Sequence, residues 1–249
     1  MPYIDLAVPD GTAEAYLARS DADGDHPGVL FFIDAIGLRP RIEEMADRIA
    51  DWGYVVLAPN LFYRSGRAAD LAPQGDLREP GEREKFFATV MPRVRAFDGP
   101  MMRADNAAYL AALTDLEGVA PGPVAVTGYC MGARFAVRAA GAHPDLVAAA
   151  AGFHGGGLVT DDPESPHLAL ADASAELVFG HADNDGSMPP EAIATLGEAI
   201  AAAGLTAKNE VYAGAPHGYT MADTSMYDEA AAERMFTELQ GLLRRTLRG

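Results

Sequence analysis

The stretch Val124-Ala125-Val126-Thr127-Gly128-Tyr129-Cys130-Met131-Gly132-Ala133 constrains this chain more than any other ten residues. A strand-forming run, Val124 to Thr127, passes into a helical one, Met131 to Ala142, through a cysteine set between two glycines. Such a junction is very tight, and the flanking glycines clear the space in which a strained residue can sit. The turn lifts the Cys130 sulfur to the carboxyl end of a sheet, where open α/β sheets bind ligands. The amides that open the next helix point at the sulfur and favour thiolate. Cys130 is the only cysteine, so intramolecular disulfides and multi-cysteine zinc or iron–sulfur sites are excluded. A lone cysteine is more often a small buried apolar residue. Its place between strand and helix favours a nucleophile instead.

The rest of the chain supplies a sheet for that strand. Ile4–Val8 and Thr12–Ala18 alternate about Pro9-Asp10-Gly11, a hairpin signal. Asp21, Asp23 and Asp25 mimic the start of a calcium loop, but His26 stands where glycine is required, so a solvated turn is expected. Unbroken apolar strands are expected at Gly28–Ile33, Tyr54–Ala58, Leu146–Phe153 and Ala175–Phe179, with a further strand at Lys208–Tyr212. Helices are expected at Pro40–Asp51, Met101–Leu116, Pro190–Ala203 and Met226–Leu247. This alternation implies a mostly parallel sheet with helices on both faces. Residues 63–100 are charged and rich in Gly and Pro, with a helix expected over Glu82–Met91. They read as a cap-like insertion over an active site within one domain spanning 1–249.

A cysteine elbow needs a carboxylate and then a histidine later in the chain, each just after a strand. His181-Ala182-Asp183 follows one strand and Pro216-His217-Gly218 another. His217 is the expected base and Asp183 the expected acid, chosen over Asp185 because it comes sooner after its strand. His181, Asp183, Asp185 and His217 read as a metal cluster only if those loop positions lack another explanation, and no metal or other cofactor is expected. His154-Gly155-Gly156-Gly157 matches an oxyanion motif that elsewhere precedes the nucleophile; here it follows, so it reads as a loop. The oxyanion hole is expected from the N–H groups of Met131 and of Ala35, in the early loop after Gly28–Ile33.

These motifs resemble the dienelactone hydrolase family over nearly the whole chain. Gly128-Tyr129-Cys130-Met131-Gly132 resembles its elbow, Tyr54 to Phe62 its strand running into Pro-Asp-Leu-Tyr, and Ala215-Pro216-His217-Gly218 its histidine loop. The resemblance implies an α/β-hydrolase fold and hydrolysis of small esters or lactones through a thioester. It also implies a carboxylate that holds and activates the thiol, at Asp34, where the family usually has glutamate. Its dienelactone-cleaving members grip a substrate carboxylate with two arginines. Arg83 matches the first and Met221 replaces the second, so neutral esters are expected to be preferred. Arg39 or Arg134 is the candidate for a second cation should anions be preferred.

The net charge of −17 repels polyphosphates and excludes nucleic acid as a natural partner. The apolar runs are too short for a membrane helix and no signal peptide is visible, so a cytosolic enzyme is expected. The oligomeric state stays open. One rival is a thiol sensor, which the missing resolving cysteine disfavours. A non-catalytic ligand binder on the same fold is the other, and the full set of catalytic residue types disfavours it.

Overall fold

The computed structural model describes residues 2–247. Strands β1 (Tyr3–Val8) and β2 (Gly11–Arg19) form the hairpin, followed by β3 (Gly28–Phe32), helix α1 (Pro40–Ala50) and β4 (Val55–Pro59). A 3₁₀ turn (Tyr63–Ser65), α2 (Ala68–Leu71), α3 (Glu82–Arg95) and α4 (Gly99–Thr114) precede β5 (Val124–Tyr129) and α5 (Gly132–Ala142). Then come β6 (Val147–Phe153), a 3₁₀ stretch (Pro166–Asp172), β7 (Glu176–Ala182), α6 (Pro190–Ala202), β8 (Ala207–Tyr212) and α7 (Glu229–Leu247).

The eight strands form one sheet in the order β1-β2-β4-β3-β5-β6-β7-β8. Pairing is antiparallel at β1–β2 and β2–β4 and parallel from β4 onward. Strands β3, β4 and β5 are buried at every position, which is why their sequences run apolar without alternation. The edge strand β8 is largely exposed and carries Lys208, Asn209 and Glu210, charges and polarity that discourage edge-to-edge pairing. Helices α4 and α5 pack together on one face. On the other, α1 and α7 meet through the Trp52 and Phe236 rings and the Arg48–Glu233 ion pair. Among the described residues, no helix is long and apolar enough to cross a membrane.

The insertion is tied down by charge. Arg64 makes a bidentate contact of 2.7 and 2.8 Å with the fully buried Asp105 of α4, which also accepts from the Tyr63 hydroxyl at 3.0 Å. Helix α3 runs through Pro92 to Arg95, one turn past the expected end at Met91. The proline forfeits one helical hydrogen bond. Burial of Val90 and Val94 on either side of it holds the last turn.

Candidate active site

Cys130 sits at φ +53°, the left-handed region a non-glycine residue seldom adopts. Its neighbours explain how the turn is possible. A Cβ on Gly128 would lie 2.2 Å from the Gly132 carbonyl oxygen, and one on Gly132 would lie 2.3 Å from that of Phe32. Both obstacles are backbone, so neither can move aside. The glycines of the elbow are thus required by close approach as well as by the turn itself.

The loop after β8 brings His217 to the thiol, its Nε2 3.1 Å from Cys130 Sγ. On the other side, His217 Nδ1 lies 2.6 Å from Asp185 Oδ2. Asp185 Oδ1 accepts from the Ser187 amide at 2.8 Å and the Ser187 hydroxyl at 2.7 Å. The expected acid, Asp183, is elsewhere: its carboxylate accepts from the Gly214 amide at 2.8 Å, and its own N–H donates to Ala215. The assignment of Asp183 to His217 is therefore corrected to Asp185. The physical reason is that β7 runs on to Ala182, three residues past Phe179, so Asp183 sits flush with the strand end. Asn184, at φ +52°, then reverses the chain and swings Asp185 under the imidazole.

Electrostatics follow from these contacts. Burial pushes the Cys130 thiol up, but the charge and hydrogen bond of His217 outweigh it and hold the thiol below its ordinary value. Burial disfavours the His217 cation, yet Cys130 and Asp185 raise its pKa to about 10. Burial also opposes ionisation of Asp185, and its bonds from His217 and Ser187 bring it down to about 2. Each group thus favours the charged form of the other, the imidazole lowering the thiol and the thiol raising the imidazole. The Ala35 amide is directed at the thiol and favours its anion, and Ala35 and Met131 both line the cavity at Cys130.

Asp34, where a carboxylate that holds and activates the thiol is expected, pushes the thiol up by its charge. Its carboxylate is bound at 2.7 and 3.1 Å by the buried Arg39, whose guanidinium also reaches Asp223 at 2.5 and 3.1 Å. Met221 is buried against the same guanidinium, with Sδ 3.3 Å from it. It borders a narrow cleft of about 10 Å³ that Cys130, His217 and Arg83 also line, next to the main cavity.

The main cavity, about 390 Å³, opens on Cys130 and His217. Helix α3 contributes Phe87, Met91 and Val94 together with Arg83 and Arg95. Arg83 lies 4.6 Å over the Phe87 ring. From α5 comes Arg134, whose Nε is buried without a hydrogen-bond partner and whose pKa burial pushes down. Arg134 lies in the first turn of the helix that follows the elbow, which places it beside the thiol. Gly156 and Gly157, read as plain loop, form part of the wall. Of the four residues weighed as a metal cluster, Asp185 and His217 bond to each other, Asp183 accepts from the Gly214 amide, and His181 Nε2 lies 2.6 Å from Asn209 Oδ1. No group of three or more potential ligands occurs among the described residues. A crevice of about 230 Å³ between Arg138 and Glu164 shares no lining residue with the Cys130 cavity.

A model of the dienelactone hydrolase family matches residues 13–247. A carboxymethylenebutenolidase of Rhodococcus opacus is 27% identical over 205 residues, 82% of this chain and 74% of the relative. A provisionally named carboxymethylenebutenolidase of Yersinia pestis is 29% identical over 224 residues, covering 88% and 78%. Among solved structures, a provisionally assigned dienelactone hydrolase of Klebsiella pneumoniae superposes with a TM-score of 0.80 at 23% identity, over 98% of both chains.

Proposed function

The chain belongs to the dienelactone hydrolase family, α/β-hydrolase-fold enzymes acting on lactones, and from that premise we propose that it hydrolyses small carboxylic esters or lactones with Cys130, His217 and Asp185. The observation that carries this reading is the linear relay from Asp185 through His217 to Cys130, with bonds of 2.6 and 3.1 Å, at the strained elbow.

The Cys130 thiolate attacks the carbonyl carbon, and the oxyanion that forms rests on the Ala35 and Met131 amides. Collapse breaks the bond to the alkoxy oxygen, which takes the proton held by His217 and leaves a thioester on Cys130. In a lactone that hydroxyl stays tethered to the acyl group. Water then gives a proton to His217 and attacks the thioester, expelling the thiolate and releasing the acid. Asp185 fixes the ring and balances its charge throughout. Helix α3 lines one side of the cavity, which supports reading residues 63–100 as a cap-like insertion at a site within one domain.

The cavity walls favour a substrate with an apolar portion against Phe87, Met91 and Val94 and an anionic group within reach of the arginines of α3 and α5. Arg83, Arg95 and Arg134 make no ion pair among the described residues, in a chain with 36 acidic and 19 basic residues. Carboxylates are in surplus, so unpaired guanidiniums at one cavity are left for a ligand. The expectation of a neutral substrate rested on Met221 standing where an arginine would complete the clamp; Arg95 and Arg134 supply cations at other points of the wall instead.

The test is a chromogenic short-chain ester under single turnover, followed by mass analysis of the protein. An added acyl mass on the Cys130 peptide, absent in Cys130→Ala together with all turnover, is the expected result. Undiminished turnover by Cys130→Ala, or an acyl group elsewhere, overturns the assignment.

A further inference from the structure

Among the described residues, His154 is the one histidine buried completely beside the catalytic groups that the relay does not use. It opens the loop after β6 at φ +38°, ahead of Gly155, Gly156 and Gly157. Glycine would adopt that conformation without strain. A run that is otherwise all glycine nevertheless starts with an imidazole, so the side chain itself has a use.

Its backbone is fixed. The His154 N–H donates to the Gly180 carbonyl at 2.8 Å, and the Tyr219 hydroxyl donates to the same oxygen at 3.0 Å. From this anchor, His154 Nε2 reaches Thr220 Oγ1 at 2.7 Å. Thr220 lies three residues beyond His217 in the same loop, is fully buried, and accepts from the Arg41 guanidinium through its carbonyl at 2.8 Å. The His154 ring stands edge-to-face against His217, with centroids 5.3 Å apart, and against Tyr219 at 5.0 Å.

We propose that His154 is a positioning residue for the reaction assigned above: as a neutral imidazole it pins the His217 loop through Thr220 and buttresses the His217 ring in line with Cys130. This rests on the Cys130–His217 reading. The groups around it demand the neutral form. It shares a cleft with His217, Cys130, Asp34 and Arg83, with Asp185 behind His217 and the Tyr129 and Tyr219 rings on its other sides. Burial and the His217 charge hold its pKa well below the ordinary range. A second cation there would push against the imidazolium on which the thiolate depends. A protonated ring would also carry two N–H donors, while the buried Nδ1 has no hydrogen-bond partner. An uncharged ring can stand against an imidazolium where a charged one cannot.

The experiment follows iodoacetamide alkylation of Cys130 against pH, together with steady-state kcat and KM, in His154→Phe, His154→Gln, Thr220→Val and the double variant H154F/T220V. His154→Phe keeps an aromatic buttress and loses the bond, Thr220→Val breaks the same bond from the other side, and His154→Gln restores a side-chain donor and acceptor. The expected result is a fall in kcat of about ten- to hundred-fold for His154→Phe and for Thr220→Val, with KM changed less than about twofold. The alkylation midpoint moves up in both, the double variant is no worse than either single one, and His154→Gln recovers part of the loss. Additive losses with an unmoved alkylation midpoint would overturn the proposal. If His154→Phe does not fold, Thr220→Val alone decides, by the same midpoint. His217→Ala separates the two readings. If it leaves the alkylation profile unchanged, the Cys130–His217 pair itself is wrong. If it moves the profile while Thr220→Val and any folded His154 variant do not, only the role of His154 fails.

Discussion

At the scale of single residues, the two aspartates after β7 differ by what they touch. Asp185 bonds to His217 Nδ1, whereas Asp183 accepts from a loop amide. Asp185→Asn should lower kcat by about a thousand- to ten-thousand-fold, because the amide no longer selects the productive tautomer or balances the cation. Asp183→Asn keeps an oxygen for the Gly214 amide and should cost less than about tenfold; equal losses would return the role to Asp183. The pair also sets a pH window. His217, raised to about 10, contributes stability that is complete below its ordinary 6.5 and is lost as pH rises through 10. Asp185, lowered to about 2, contributes above its ordinary 3.8, and that part is lost as pH falls through 2. For the thiol the sign is opposite to what burial alone would give. Removing the imidazole in His217→Ala leaves burial and the Asp34 charge, both of which push the thiol up. Alkylation of that variant at pH 7 should slow by about tenfold or more. A thiol that alkylates as fast without His217 would show that the helix terminus, and not the imidazole, sustains the thiolate.

At the scale of elements, the order of strands and helices was legible because unbroken apolar runs and turn residues are local signals. The elbow was legible for the same reason: a cysteine between two glycines, with strand before and helix after, is written in ten consecutive residues. Element ends were less so. Strand β7 continues through Gly180-His181-Ala182 because it pairs with β8 up to Tyr212, a contact that no property of those three residues announces. That extension, with the Asn184 turn that follows it, exchanged the roles of two aspartates. Resemblance pointed to Asp34 but not to its ion pair with Arg39, whose guanidinium is fixed in turn by Asp223, 184 positions further along the chain, and is thereby withdrawn from the role of a second substrate cation. Arg39 ties the loop carrying Ala35 to the loop carrying His217. Arg39→Met should cost about 3–5 kcal/mol in urea unfolding, because Asp34 stays buried without a counter-charge. Adding Asp34→Asn removes that charge and should return a good part of the loss. If the two substitutions instead add, the cost lies in packing around Arg39 rather than in a stranded carboxylate.

At the scale of the whole molecule, two fields of opposite sign act on an anionic substrate. The chain carries −17, which repels anions at long range. Arg83, Arg95 and Arg134 surround the cavity and attract at short range, and the buried Nε of Arg134 has no protein acceptor. Salt does not treat the fields alike. The Debye length falls from about 30 Å at 10 mM to about 10 Å at 100 mM, so the distributed surface charge is screened while contacts inside a partly buried cavity are screened much less. Raising ionic strength over that range should therefore increase kcat/KM for a carboxylated lactone and leave its methyl ester nearly unchanged. At 100 mM the carboxylate should be favoured over the methyl ester by roughly ten- to hundred-fold, the size of one charge-assisted contact in a dry site. Arg134→Met should remove most of that preference through KM, with the salt response of the remaining activity intact because the surface charge is untouched. Two results would sink the idea. A methyl ester cleaved as well as the acid would mean that the guanidiniums do not face the bound substrate. A steep fall of kcat/KM with salt for the acid would mean that exposed cations at the rim, such as Arg95, and not the half-buried Arg134, govern recognition.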